Sequence, residues 1–214
     1  MYPALKTEIE ARFAAMALFF NATKGFTGDD EMAAKGLMFV QAYAVYEHTV
    51  RNVVQLAIDA IKAHNHKLMD LSPPLLALFL DPELESLRRV GGKDVWNRRV
   101  KLFERAFSKS ALDISADSGI PHDGSHFKYT QLQMIFQVFG IKRLPVRRRS
   151  HIPRIEEVVG HRNQIAHGSE TAVDVGRRYS RSEICHIMDQ MKSVCLLQVA
   201  VFDAYCSNKS RHRR

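Results

Sequence analysis

Apolar residues recur at helical spacing along most of the chain. Leu5, Ile9, Phe13, Met16 and Phe20 stand 4, 4, 3 and 4 positions apart, which is one face of a helix over residues 3–23. Lys24, Gly25 and Gly28 break that pattern. Asp29, Asp30 and Glu31 then open a longer helix, with carboxylates in the first turn where the helix dipole favours negative charge. It runs to about Ala63 and is apolar round most of its circumference, which predicts a central position.

Ser72, Pro73 and Pro74 begin a less regular region of short helices, interrupted at Gly91 and Gly92 and continuing to Ser108. Residues 110–126 are turn-rich and read as a surface loop or insertion. Residues 127–139 form an amphipathic helix stopped by Gly140. A basic segment over 142–151 follows, and Pro153 suits the first position of a helix over 154–167 that Gly168 ends. A polar loop is expected over 169–179. Ser180 and Glu183 have the spacing of a capping box for the last helix. There Ile184, Ile187, Met191, Val194, Gln198, Val201 and Tyr205 alternate by three and four, and Met188, Cys195, Val199 and Phe202 widen the seam. A bundle core must cover such a face, alone or with a second subunit. The pattern predicts an all-α fold: an up-and-down helical bundle with a long C-terminal helix and an irregular inserted region. Residues 1–208 read as one helical domain, and 209–214 as a basic tail.

Hydrophobic residues make up 46% of the 214, enough for a core without disulfides or metals. No apolar run reaches the length of a membrane span, and the first residues carry no secretory pattern, so a cytoplasmic location is expected. Cys185, Cys195 and Cys206 fall on one helix, too far apart along its axis to pair, and read as free thiols. The net charge of +8 points to a polyanionic partner. The excess clusters at Lys142, Arg143, Arg147, Arg148, Arg149 and Arg154, and in the tail at Lys209, Arg211, Arg213 and Arg214. Arg147, Arg148 and Arg149 are candidate phosphate contacts, with a solvated charged surface as the plain alternative. There is no Gly-rich phosphate loop, no His-Glu-x-x-His and no Cys-x-x-Cys. His64 with His66, His122 with His126, and Cys185 with His186 resemble metal ligands, but none completes a familiar set, and no metal or other cofactor is expected. Trp96, among Lys93, Arg98, Arg99 and Lys101, can stack on a base; a core or half-buried position is the favoured reading.

The informative stretch is Val158 to Gly168. Ile155, Val158, Val159, Ile165 and Ala166 define a buried stripe, and Arg162 falls inside it. A guanidinium facing a core is costly unless it has a carboxylate partner or an anion to bind. His167 stands five residues on, about 140° around an ideal helix. The two meet at one phosphate only if the helix ends or loosens near His167, which Gly168 permits. Glu47 lies on the face of Val40, Ala44, Val54 and Ile58, with Arg162 or its i,i+4 neighbour Arg51 as partner, the latter slightly favoured. His161 either reaches the same groove or faces solvent, and solvent is the favoured reading.

Arg162-Asn163-Gln164-Ile165-Ala166-His167 followed by Gly168 resembles the Arg-x4-His motif of the HEPN superfamily. The helix carrying Tyr43-Ala44-Val45-Tyr46-Glu47 resembles the aromatic-then-Glu helix of its MAE-type branch of HEPN-like nucleases. The similarity in helix order spans most of the chain, while the diagnostic motif covers six residues. The resemblance implies metal-independent endoribonuclease activity in a defence or toxin–antitoxin setting, with an antitoxin or inhibitor protein as a further partner. Arg162 and His167 are then catalytic, Asn163 orients His167 or a phosphate oxygen, and Glu47 and His161 support them. It also implies a homodimer whose two motifs share one cleft on RNA. The alternative is a non-catalytic HEPN module that binds RNA or a protein.

Overall fold

The computed structural model describes residues 1–108, 127–208 and His212. The loop expected over 110–126 and, His212 apart, the basic tail lie outside the described residues. Among the described residues nine α-helices follow in chain order: α1 (Tyr2–Ala22), α2 (Gly28–Ala63), α3 (Pro73–Phe79), α4 (Asp81–Arg89), α5 (Val95–Ala106), α6 (Tyr129–Val138), α7 (His151–Ala166), α8 (Ala172–Gly176) and α9 (Arg181–Cys206). The all-α expectation holds. No described helix is long and apolar enough to cross a membrane.

The 36-residue α2 is the spine, and α1, α7, α8 and α9 all pack on it. Its central position follows from its composition: Phe39, Tyr43, Tyr46, Val50, Val54 and Ile58 are all buried. Each such side chain contributes roughly 1.5–3 kcal/mol when fully removed from water. The α1 stripe of Leu5, Ile9, Phe13, Met16 and Phe20 is buried as its spacing predicts. So is the α9 seam, Gln198 included. Gln198 has an anchoring role: its amide Nε2 donates to the Pro145 carbonyl at 2.6 Å. That contact holds the α6–α7 connection against α9, with Pro145 and Val146 buried and Arg147, Arg148 and Arg149 left in solvent. Arg181 ties α9 back to α1. Its guanidinium lies 4.0 Å from the Phe20 ring centre and donates to the Phe20 and Thr23 carbonyls, the acceptors a helix leaves open at its C-terminal end.

Three local expectations change. The helix expected from Arg154 starts at His151, and Pro153 occupies its third position. A proline is tolerated throughout the first turn, because those N–H groups have no acceptor within the helix. The loop expected over 169–179 contains α8, whose start is a second capping box: Asp174 N–H donates to Thr171 Oγ1 at 3.1 Å and Thr171 N–H to Asp174 Oδ2 at 3.2 Å. This short helix sits directly on the α2 backbone. A Cβ on Gly36 would lie 2.0 Å from the Ala172 carbonyl oxygen, and one on Gly176 1.8 Å from that of Met32. Only glycine permits that approach. Finally, Trp96 is neither core nor half-buried. With Val100, Phe103 and Phe107 it forms an α5 stripe at 4-3-4 spacing that is 53–71% exposed, and Arg99 stacks on the indole at 4.8 Å. The stripe stays open because α5 packs chiefly against α4, which has no buried residue of its own to offer.

Candidate active site

The middle of α7 is anchored in the core by Ile155, Val158 and Val159, which are fully buried. The next turn rises out of the core. Arg162 is half-buried, Ile165 is half-buried and Ala166 is exposed, so the stripe expected to run to Ala166 stops short of it. Arg162 reaches across to α2. Its guanidinium lies over the Tyr43 ring of α2, 4.7 Å from the ring centre, and its Nη1 donates to Asn163 Oδ1 at 3.0 Å. Stacking on the aromatic face stabilises the cation electrostatically and fixes the plane of its donors.

Tyr43 is almost completely buried. Burial, followed by the nearby Glu47 carboxylate, raises its phenol pKa, while a Phe127 backbone hydrogen bond and the Arg162 and Arg51 guanidiniums oppose the rise. Tyr43, Glu47, Arg51, Phe127 and Arg162 therefore form one electrostatic neighbourhood between α2 and α7. Within it Glu47 takes the local partner: its Oε1 accepts from Arg51 Nε at 3.2 Å and Nη2 at 3.1 Å. Arg51 also lies over the Phe127 ring.

His167 is the C-cap of α7 and is exposed. The helix ends as Gly168 predicts. Gly168 adopts φ +71°, its N–H bonds the Ile165 carbonyl, and Ser169 N–H bonds the Gln164 carbonyl at 3.0 Å. These are the paired bonds of a Schellman stop, and the left-handed residue favours glycine there. The imidazole is consequently carried on a fixed helix terminus.

His161 departs from its expected solvent position. Its Nδ1 is 2.8 Å from Gln164 Oε1 and its Nε2 2.8 Å from the Tyr179 hydroxyl, and the ring packs edge-on against Phe39. The Tyr179 hydroxyl in turn donates to Glu157, which Arg154 also engages, and Arg154 Nε reaches Gln190 Oε1 at 2.7 Å. Burial and the Glu157 hydrogen bond push the Tyr179 phenol well above its ordinary range. Glu157, His161 and Gln164 share the α7 face that looks toward the segment after α8, one step round from Arg162. That network fixes the roll of α7 about its axis.

Arg162, Asn163 and Glu47 are thus drawn together around Tyr43, His167 stands at the helix end, and His161 joins a separate network. Arg147, Arg148 and Arg149 are exposed before the opposite end of α7. About 16 Å of helix separates His151 from Arg162. Sequence reading missed Tyr43 as the Arg162 platform and Tyr179 as the His161 partner. Tyr43 had a signal, standing four residues before Glu47 on one helical face; Tyr179 had none. A cleft of about 400 Å³ beside the α6–α7 connection, lined by Phe136, Lys142 and Arg143 among others, includes none of the candidate site residues.

A long apolar α2 with α1, α7, α8 and α9 packed on it makes an all-α helical domain. The sequence model of a family described as RiboL-PSP-HEPN matches residues 8–184, and the chain belongs to that family. The matched span reaches from α1 into the first turn of α9 and contains Arg162 and His167. No curated protein and no solved structure matches the chain. HEPN domains are RNases or RNA-binding modules, and they commonly dimerise.

Proposed function

We propose that this chain is a metal-independent endoribonuclease that works as a homodimer, with Arg162 and His167 of each copy facing one shared RNA cleft. One observation carries the reading: a half-buried guanidinium, held over the Tyr43 ring and bonded to Asn163, stands about one turn before an exposed histidine at the helix terminus. A guanidinium held in this way can offer paired N–H donors to the oxygens of a phosphate.

The 2′-hydroxyl of the RNA attacks the adjacent phosphorus, and the bond to the 5′-oxygen of the next nucleotide breaks. One proton leaves the 2′-oxygen and one reaches the departing 5′-oxygen, giving a 2′,3′-cyclic phosphate and a 5′-hydroxyl. An imidazole, with an ordinary pKa near 6.5, serves as acceptor or donor at neutral pH. Two such groups are needed and one chain offers one exposed motif histidine, which supports a two-copy cleft. Arg162 offsets the negative charge that develops on the non-bridging oxygens. Asn163 orients the guanidinium through its Oδ1. Arg147, Arg148 and Arg149 would hold flanking backbone phosphates. A defence or toxin–antitoxin role, with an inhibitor protein, is the setting this activity fits.

The test is incubation of the protein with RNA in EDTA. Wild type is expected to cleave, and Arg162→Ala and His167→Ala each to lose about 10²-fold or more while remaining folded and dimeric. Undiminished cleavage by both variants would remove the site. Intact RNA with tight binding by wild type would instead assign a non-catalytic RNA-binding module.

A further inference from the structure

Three imidazoles meet far from α7. His64 is the C-cap of α2, and His66 follows after Asn65, which adopts the left-handed conformation at φ +51°. That reversal turns both rings to one side. The third ring, His212, comes from beyond the end of α9, where its carbonyl accepts from Ser72 N–H at 3.0 Å and its ring packs on Tyr205 at 5.0 Å. The ring centroids form a near-equilateral triangle: 5.8 Å for His64–His66, 5.4 Å for His64–His212 and 5.8 Å for His66–His212. One ligand nitrogen from each lies within 4.8 Å of the other two.

His66 and His212 are buried and His64 is half-buried. Both ring nitrogens of His212 and Nδ1 of His64 are out of water without a hydrogen-bond partner. Burying such groups is unfavourable unless something satisfies them. Water alone does not explain why three rings of one chemistry converge, whereas a cation that takes neutral imidazole does.

We propose that His64, His66 and His212 form a zinc site that ties the segment after α9 to the end of α2. Nitrogens bound tetrahedrally at 2.0–2.1 Å would stand about 3.3 Å apart, with ring centres about 5 Å apart. The observed triangle reaches that by a small inward rotation of each ring. Three protein ligands leave a fourth position to water. The two histidines in His64-Asn65-His66 were visible in the sequence, but the third ligand comes from the other end of the chain. The role is structural. Tyr43 lies 21 residues before His64 on α2, about 30 Å along the helix, so the ion is remote from Arg162 and its effects are separable from RNA cleavage.

The full-length chain, stripped with chelator and dialysed, is titrated with zinc chloride against a chromophoric chelator. Wild type is expected to bind one zinc ion per chain with micromolar or tighter affinity and to unfold at a higher temperature once loaded. His212→Ala and His66→Ala should each weaken that binding at least about tenfold and abolish the thermal shift. His186→Ala, an exposed histidine on α9, should leave both unchanged. Zinc held equally well by wild type and His212→Ala, or no saturable binding by wild type, would overturn the site.

Discussion

The two faces of this molecule treat their side chains in opposite ways. Where α7 and α8 meet α2, a charged group, four aromatic rings and two glycines are closely packed: Arg162 on Tyr43, His161 against Phe39 and Tyr179, Gly36 and Gly176 against backbone carbonyls. On the α4–α5 layer, four large apolar side chains at helical spacing remain in solvent, and the nearest order is a cation stacked on Trp96. Both regions have amphipathic sequences. Amphipathicity specifies a helix and the face it would bury, but the partner surface decides whether that face is buried. Close approach needs glycines or aromatics on both sides, which α2 and α8 supply and α4 does not.

Substitutions can break or sharpen that contrast, and the largest effect belongs to the glycine contact. Gly36→Ala places a methyl 2.0 Å from the Ala172 carbonyl, so α8 must lift from α2. The expected loss is about 3 kcal/mol, the upper end of ordinary overpacking, read from chemical denaturation. Wild-type stability in that variant would mean that α8 is not seated as described. A smaller loss, about 1 kcal/mol, is expected for Ser180→Ala, which removes the hydroxyl accepting Glu183 N–H at 3.2 Å at the start of α9.

Acid acts on the same cap. The Ser180 backbone N–H, then its side chain, holds the Glu183 carboxyl below its ordinary value of 4.5. A lowered folded-state pKa contributes stability that is complete above that value and is lost as the pH falls through the shifted one. Glu183→Gln should therefore show a shallower decline in helicity below pH 4.5 than wild type. The smallest effect is expected on the other face: Phe103→Ser should change stability by no more than about 0.5 kcal/mol, because the ring is already 60% exposed. A markedly larger change would show that the α5 stripe is covered in solution.

Most of the fold was legible because α1, α2, α7 and α9 are long, and each repeats its apolar signal over many turns. The five-residue α8 is too short to carry a period, and its segment was expected to be a polar loop. The site was half legible. Arg162 and His167 stood out from local sequence, since a charge in an apolar stripe and a histidine before Gly168 are visible without a fold. What holds them was not visible. Tyr43 lies on another segment, and nothing beside Arg162 in the chain says that this ring will lie under its guanidinium; Tyr179 is likewise remote in sequence from His161, which it bonds. Trp96 misled because a large aromatic ring was expected to be core or half-buried, and α4 offers it no buried surface. His212 was silent for the opposite reason: a lone histidine in a basic tail means nothing until His64 and His66 lie beside it.

The chemistry of the RNA ends tests the central claim most directly. A short RNA of defined sequence, cut by wild type in EDTA, should yield 2′,3′-cyclic phosphate and 5′-hydroxyl termini, and a single 2′-deoxy substitution at the cleaved nucleotide should block that cut. Products ending in 3′-hydroxyl and 5′-phosphate, or cleavage that continues through the 2′-deoxy position, would contradict attack by the RNA's own hydroxyl at Arg162 and His167.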